Sequence, residues 1–203
     1  MKPLRVILVL LPVVVAGCGP LVQIGAKGPP AVSLLLVEAT ATPTGVQAKP
    51  GSPTIAVDLP LLPAMLQTLR VAVRISDTEI QYLTAAGWAE TPNRQVQRLF
   101  SDTLAARGLP VLDRSQVSPQ PQATLSGALR DFTLDVRDPL QPIVRVRYDA
   151  QLSHPNQPRG PDLRRFEASE PVASQAPADV AAALSRAINR LAGDLADWTV
   201  ANI

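Results

Sequence analysis

One stretch constrains the fold of this 203-residue chain more than any other: Leu69–Gly108, LRVAVRISDTEIQYLTAAGWAETPNRQVQRLFSDTLAARG. Leu69, Val71, Val73 and Ile75 alternate with Arg70, Ala72, Arg74 and Ser76, the period-two pattern of a half-buried strand. Ser76-Asp77-Thr78 is a polar break, after which Glu79–Leu83 resumes with Ile80 and Tyr82 on one face. Beyond Trp88, Thr91 is a good N-cap and Pro92 occupies the first helical position, where its missing N–H is of no consequence. Val96, Leu99, Phe100, Thr103 and Leu104 recur at helical spacing, and Gly108 suits the left-handed residue after the helix. A helix of about four to five turns does not hold in water by propensity alone, so it must pack against a sheet.

The remaining segments supply that sheet. Val32–Val37 is a continuous apolar run of strand length, expected to be buried on both faces. Ala39–Pro53, rich in Thr, Pro and Gly, reads as a loop, and Thr54–Val57 as a second strand. Leu109–Leu112 follows the helix as a short strand; if it shares a sheet with the strand before the helix, the crossover is parallel and right-handed. Ala123–Val136 and Ile143–Leu152 make a long hairpin around Asp138-Pro139-Leu140-Gln141-Pro142. On the second arm Val144, Val146, Tyr148, Ala150 and Leu152 share a face opposite Arg145, Arg147, Asp149 and Gln151. On the first arm the apolar phase slips between Leu129 and Phe132, which predicts a β-bulge near Arg130 and Asp131.

Leu163–Ala168 is a more polar strand, suited to a blunted sheet edge. A last helix runs from about Pro177 to Val200, with Val180, Leu184, Ile188, Leu191, Leu195 and Trp198 as its apolar stripe and Ala187 between them. The fold class is therefore α/β: a single compact domain, a mixed β-sheet with a long antiparallel hairpin or meander, and two main helices packed on it.

Several chemistries are poorly served by this composition. Aromatic residues make up 3% of the chain, so the core must be built from Leu, Val, Ile and Ala. Of 19 basic residues two, Lys2 and Arg5, lie in the first segment, which leaves 17 against 17 acidic residues and no basic patch of the kind that binds nucleic acid. His154 is the only histidine; beside Pro155 in a turn it is expected at the surface, and without a second one neither a histidine metal site nor a Ser-His-Asp triad is expected. There is no Gly-rich phosphate loop, no G-x-S-x-G and no cysteine pair. Asp131 and Asp135, four apart on a strand, stand about 13 Å apart at their Cα atoms, too far for a carboxylate couple, and are expected to face solvent. The expectation is a non-enzyme without catalytic residues, metal or cofactor.

Met1–Gly17 combines Lys2 and Arg5, an apolar run Val6–Val15 and small residues before Cys18, the pattern of a secretory signal peptide too short to span a bilayer as a helix. Val14-Val15-Ala16-Gly17-Cys18 resembles a bacterial lipobox, with Val15 where Leu is usual. Cys18 is the only cysteine and has no intrachain disulfide partner. Residues 18–31 are Gly- and Pro-rich and read as a tether, leaving 32–203 as the domain. Within it Leu59–Leu66 is apolar, but Pro60 and Pro63 exclude a regular strand. Two readings stay open: a crossover packed over the sheet edge, or an exposed surface in which Leu62, Met65 and Leu66 meet an oligomer neighbour or partner. Trp88 is likewise either an anchor pinning the helix entry or a partner-facing hot spot.

The run VAVRISDTEIQYLTAAGWAETPNRQVQRLF, with Pro63-Ala64-Met65-Leu66 upstream, resembles the ABC-type transport auxiliary lipoproteins, in which a P-x-x-L segment, an arginine-containing strand, an aromatic-ended strand and a W-A-x-x-P turn lead into the first helix. The resemblance runs over nearly the whole chain and departs at Ala31–Leu36, where the family has a Tyr-Tyr-x-Leu-like start. It implies the same compact fold and acylation of Cys18, and Gly19 in place of the Asp of inner-membrane retention favours the outer membrane. It also implies a lipid-anchored periplasmic subunit of a system pairing an ABC permease and ATPase with a mammalian-cell-entry (MCE) substrate-binding protein, moving phospholipids or other hydrophobic molecules. In that setting the chain would act as an oligomer docking the periplasmic conduit. The alternative is a binding module of another envelope machine, a cell-wall synthase activator or a lipopolysaccharide export partner.

Overall fold

The computed structural model describes residues 32–43, 51–112, 120–155 and 157–203; Cys18 and the expected signal peptide and tether lie outside them. The described elements follow in the order β1 (Ser33–Leu35), β2 (Ile55–Val57), β3 (Ala72–Arg74), β4 (Ile80–Tyr82), β5 (Ala86–Trp88), α1 (Pro92–Ala106), β6 (Val111–Leu112), β7 (Ala123–Asp135), β8 (Ile143–Ser153), β9 (Asp162–Pro171) and α2 (Pro177–Ala201). Ala31–Ile203 forms one compact α/β unit.

β7 is the spine. One edge pairs antiparallel with β8 along its whole length, and β8 pairs with β9 in the same sense, giving the expected meander. The other edge is shared by three successive parallel partners: β2 against Ala123–Leu125, Leu61 as an isolated bridge to Ala128, and β3 against Thr133–Asp135. β6 adds parallel to β2, and β4 antiparallel to β3. A separate two-stranded parallel sheet joins β1 to β5, with Leu35 opposite Trp88.

The bulge falls where the apolar phase slips. Register shifts between Leu129 and Asp131, leaving Arg130 as the extra residue, so that Leu125 and Leu129 before it and Phe132 and Leu134 after it are all buried. Gly127 occupies the same inward row. A Cβ there would meet the Asp149 carbonyl oxygen and lie 2.7 Å from the Tyr148 ring, so glycine is required for the two strands to close. The Tyr148 phenol is buried with no partner among the described residues, and burial, helped by the negative charge of Asp58, pushes its pKa well above the ordinary value.

Both helices form where expected. α1 opens on Pro92 after Thr91 and ends in a Schellman turn: Gly108, at φ +80°, donates to the Ala105 carbonyl at 2.9 Å and Leu109 to that of Leu104 at 3.1 Å. It buries Val96, Leu99, Phe100, Thr103 and Leu104, and also Gln95, whose Oε1 accepts from the Val37 amide at 2.8 Å. α2 buries Val180, Leu184, Ala187, Ile188, Leu191 and Leu195 against β8 and β9 and runs beside α1.

Three strand readings are corrected. β1 is not buried on both faces: Leu35 and Val37 face the core while Val32, Leu34 and Leu36 are exposed, because the small sheet packs on the core by one face only. Ala72, expected on the wet face of its strand, is buried between β4 and β7. β6 does not complete a simple parallel crossover from the strand before the helix: β4 lies beyond β3 and is antiparallel to it, and β5 belongs to the small sheet.

Candidate functional surface

The four residues considered for a partner surface separate. Trp88 is buried in β5, its ring 5.1 Å from that of Phe132, and Leu66, at the end of a short 3-10 turn, is buried as well. Neither presents an apolar face to a partner in this structure. Trp88 pairs with β1 on one edge and donates its backbone N–H to Leu69 O at 2.6 Å, so it pins the small sheet to the core. Leu62 and Met65 are half-buried and pack against the same core. The exposed apolar side chains of that loop are instead Leu59 and Leu61. Proline at 60 and 63 gives the segment its irregular path, and the single bridge to Ala128 lies between the two prolines.

Two shallow depressions flank this loop. One, of about 800 Å³, lies against α1 and is lined by Val57, Asp58, Leu59, Arg94, Gln97 and Arg98 among others; Gln97 Nε2 donates to Val57 O across it at 2.9 Å. The other, of about 510 Å³, lies on the sheet face away from the helices and is lined by Leu61, Ala128 and Leu163 together with Arg130, Arg164 and Arg165. There the bulge has a second effect: Arg130 Nε donates to Asp149 Oδ2 at 3.0 Å, while Arg165 Nε donates to Oδ1 at 2.7 Å. Those hydrogen bonds, Arg165 first, hold the Asp149 carboxyl below its ordinary range against a smaller desolvation.

The same outward face carries the aspartates expected in solvent, and both are buried. Asp131 accepts from Thr133 Oγ1 at 2.6 Å and has Arg74 at 3.8 Å. Asp135 takes Arg145 Nε at 2.6 Å and Arg137 Nη2 at 2.7 Å on Oδ2. Arg137, with Arg145 adding, drives the Asp135 carboxyl far below the ordinary range although burial opposes it. A sequence pattern that shows only alternation could not reveal that arginines from β3, β8 and the hairpin turn converge on one row of carboxylates. His154 is also buried rather than exposed: Nε2 is 2.9 Å from Asn202 O, and Arg159 packs over the ring.

Among the described residues, no group of three or more His, Cys, Asp or Glu side chains is arranged to hold a metal ion, and no helix is long and apolar enough to cross a membrane.

A family model described as the ABC-type transport auxiliary lipoprotein component matches residues 34–196. The chain belongs to that family. Among solved structures, the chain is similar to protein XCC0632 from Xanthomonas campestris, at 20% identity and a TM-score of 0.65, over 84% of this chain and 94% of that one. It is also similar to an uncharacterized protein at 15% identity and a TM-score of 0.64, over 82% and 98% of the two chains. At these identities the likeness is one of fold. No curated protein matches the chain.

Proposed function

We propose that this auxiliary lipoprotein is a non-catalytic, lipid-anchored periplasmic subunit of an MCE-type ABC transport system for phospholipids or other hydrophobic molecules. The family match over residues 34–196 carries the reading, since it describes an auxiliary lipoprotein component of ABC-type transport. The sequence before the domain supports it, placing a lone cysteine, Cys18, directly after a lipobox-like Val15-Ala16-Gly17. Acyl chains on that residue contribute about 0.8 kcal/mol per buried CH₂, and more than one chain is needed for stable attachment. Gly19 directs the anchor to the outer membrane, where the domain holds the periplasmic conduit.

The permease and ATPase supply transport work, and this chain supplies position. It works as an oligomer, since copies confined to one membrane gain effective concentration and weak contacts between them then suffice. Of the partner-surface candidates, Leu62 and Met65 remain partly accessible and stand beside the exposed Leu59 and Leu61. The test is co-purification: the detergent-solubilised full chain, crosslinked in cells, is expected to bring down the MCE substrate-binding protein. Recovery of the acylated chain without it, in repeated crosslinking, would overturn the transport assignment.

A further inference from the structure

We propose that the outward face of β1, made by Val32, Leu34 and Leu36 with Leu69 beside it, is a second, non-covalent contact with the bilayer that fixes which side of the domain faces the membrane. The proposal rests on acylation of Cys18 in the reading above.

Three observations place it. Val32, Leu34 and Leu36 are 61%, 69% and 48% exposed, a row of large aliphatic side chains on one face of a strand whose other face, Leu35 and Val37, is in the core. Across the small sheet Leu34 is opposite Gly87, which bears no side chain, and beyond it Leu69, 49% exposed, accepts a hydrogen bond at its carbonyl from Trp88. An exposed apolar row of this kind calls for an occupant.

The second observation is its place in the chain. Only the 13 residues 19–31 separate Cys18 from Val32. Even fully extended they reach no more than about 45 Å, against a radius of gyration of about 16 Å expected for a domain of this size. That reach matches the diameter of about 40 Å such a radius implies, so the tether alone selects no face; β1 is the part of the domain nearest Cys18 along the chain, and its apolar row supplies the selection. The third is charge: from Gly19 to Val37 the one charged residue is Lys27, a cation that favours an anionic leaflet, and Glu38, exposed at the next outward position, bounds the row at its far end.

The far edge of β1 is unpaired among the described residues, so its backbone groups require water or headgroups. Shallow seating at headgroup depth meets both needs, with the side chains reaching the acyl boundary. A β-strand from a second copy is the competing occupant.

The experiment uses the full acylated chain reconstituted into vesicles of phosphatidylethanolamine and phosphatidylglycerol with brominated acyl chains. Leu34→Cys and Leu36→Cys, each carrying bimane, are compared with Leu140→Cys and Leu163→Cys, whose leucines are 90% and 71% exposed on other elements. Bromine quenching at 34 and 36 is expected to exceed that at 140 and 163 by about threefold. Equal quenching at all four sites would overturn the proposal while leaving the anchor intact. Blue-shifted but unquenched emission at 34 would give the strand to a second copy and overturn it too. An unmodified Cys18 by mass spectrometry, with no entry into vesicles, would remove the anchor and this contact together.

Discussion

The two faces of the β7–β8 hairpin are made from alternate residues of the same strands, yet each carries buried side chains, and for different reasons. On the helix side Leu125, Leu129, Phe132 and Leu134 of β7 meet Val144, Val146, Tyr148 and Leu152 of β8, closed off by the two helices. There burial follows from excluded water and dense packing, which are not directional. On the other side Asp131, Thr133 and Asp135 are just as hidden, but beneath arginine side chains drawn to the carboxylates: Arg74, Arg137 and Arg145. Long basic side chains cover surface with their stems while their heads stay wet. The helix side is held by shape and the outer side by charge, so each should fail under a different insult.

The largest effect is expected on the helix side. Trp88→Ala removes a fully buried ring that lies 5.1 Å from Phe132, and is expected to cost about 3–5 kcal/mol in urea unfolding. Unchanged stability would return Trp88 to the surface role considered for it. Because the indole N–H finds no acceptor among the described residues, Trp88→Phe should recover most of the loss. Gly127→Ala comes next, at about 2–3 kcal/mol, since the added methyl meets the Asp149 backbone carbonyl rather than a side chain that could move aside. A neutral Gly127→Ala would mean that β7 and β8 separate more easily than this packing allows.

The contrast between faces also explains what the sequence could show. Periodicity located the hairpin, the bulge at Arg130 and both helix stripes, because those positions are decided by a strand or helix having one apolar face. It failed wherever burial depends on a neighbour far along the chain. Ala72 is hidden because β4 and β7 flank it, and β1 is half-wet because the core and α2 cover only its Leu35 and Val37 face. Asp131, Asp135 and His154 read as surface residues until their partners, Arg74, Arg145 and Asn202, are seen beside them. Leu62, Met65 and Leu66 of the proline-containing loop and the separate Trp88 all read as possible partner contacts, and the fold divides them into core and near-surface members. The exposed ridge of β1 was invisible, since a continuous run of aliphatic residues carries no alternation to tell its two faces apart.

The outer face gives the smallest effect and the most specific signature. Asp135→Asn keeps the size of a buried side chain but removes the charge that gathers Arg137 and Arg145, and those partners are themselves partly exposed. The expected loss at neutral pH is about 1–2 kcal/mol, the range for a charged hydrogen bond discounted for solvent screening. Its pH dependence separates this from a packing defect. The folded carboxyl titrates well below its unfolded value of about 3.9, so its contribution is complete above that value and is lost as pH falls toward the folded pKa. The gap between native chain and Asp135→Asn should therefore be constant from about pH 7 to 5, begin to narrow below about pH 4 and go on narrowing toward the folded pKa. Trp88→Ala should keep its full deficit over the same range, because no proton is involved in what it removes. If the Asp135→Asn gap persisted unchanged to low pH, the outer face would be held by shape as well, and the distinction between the two sides of the sheet would fall.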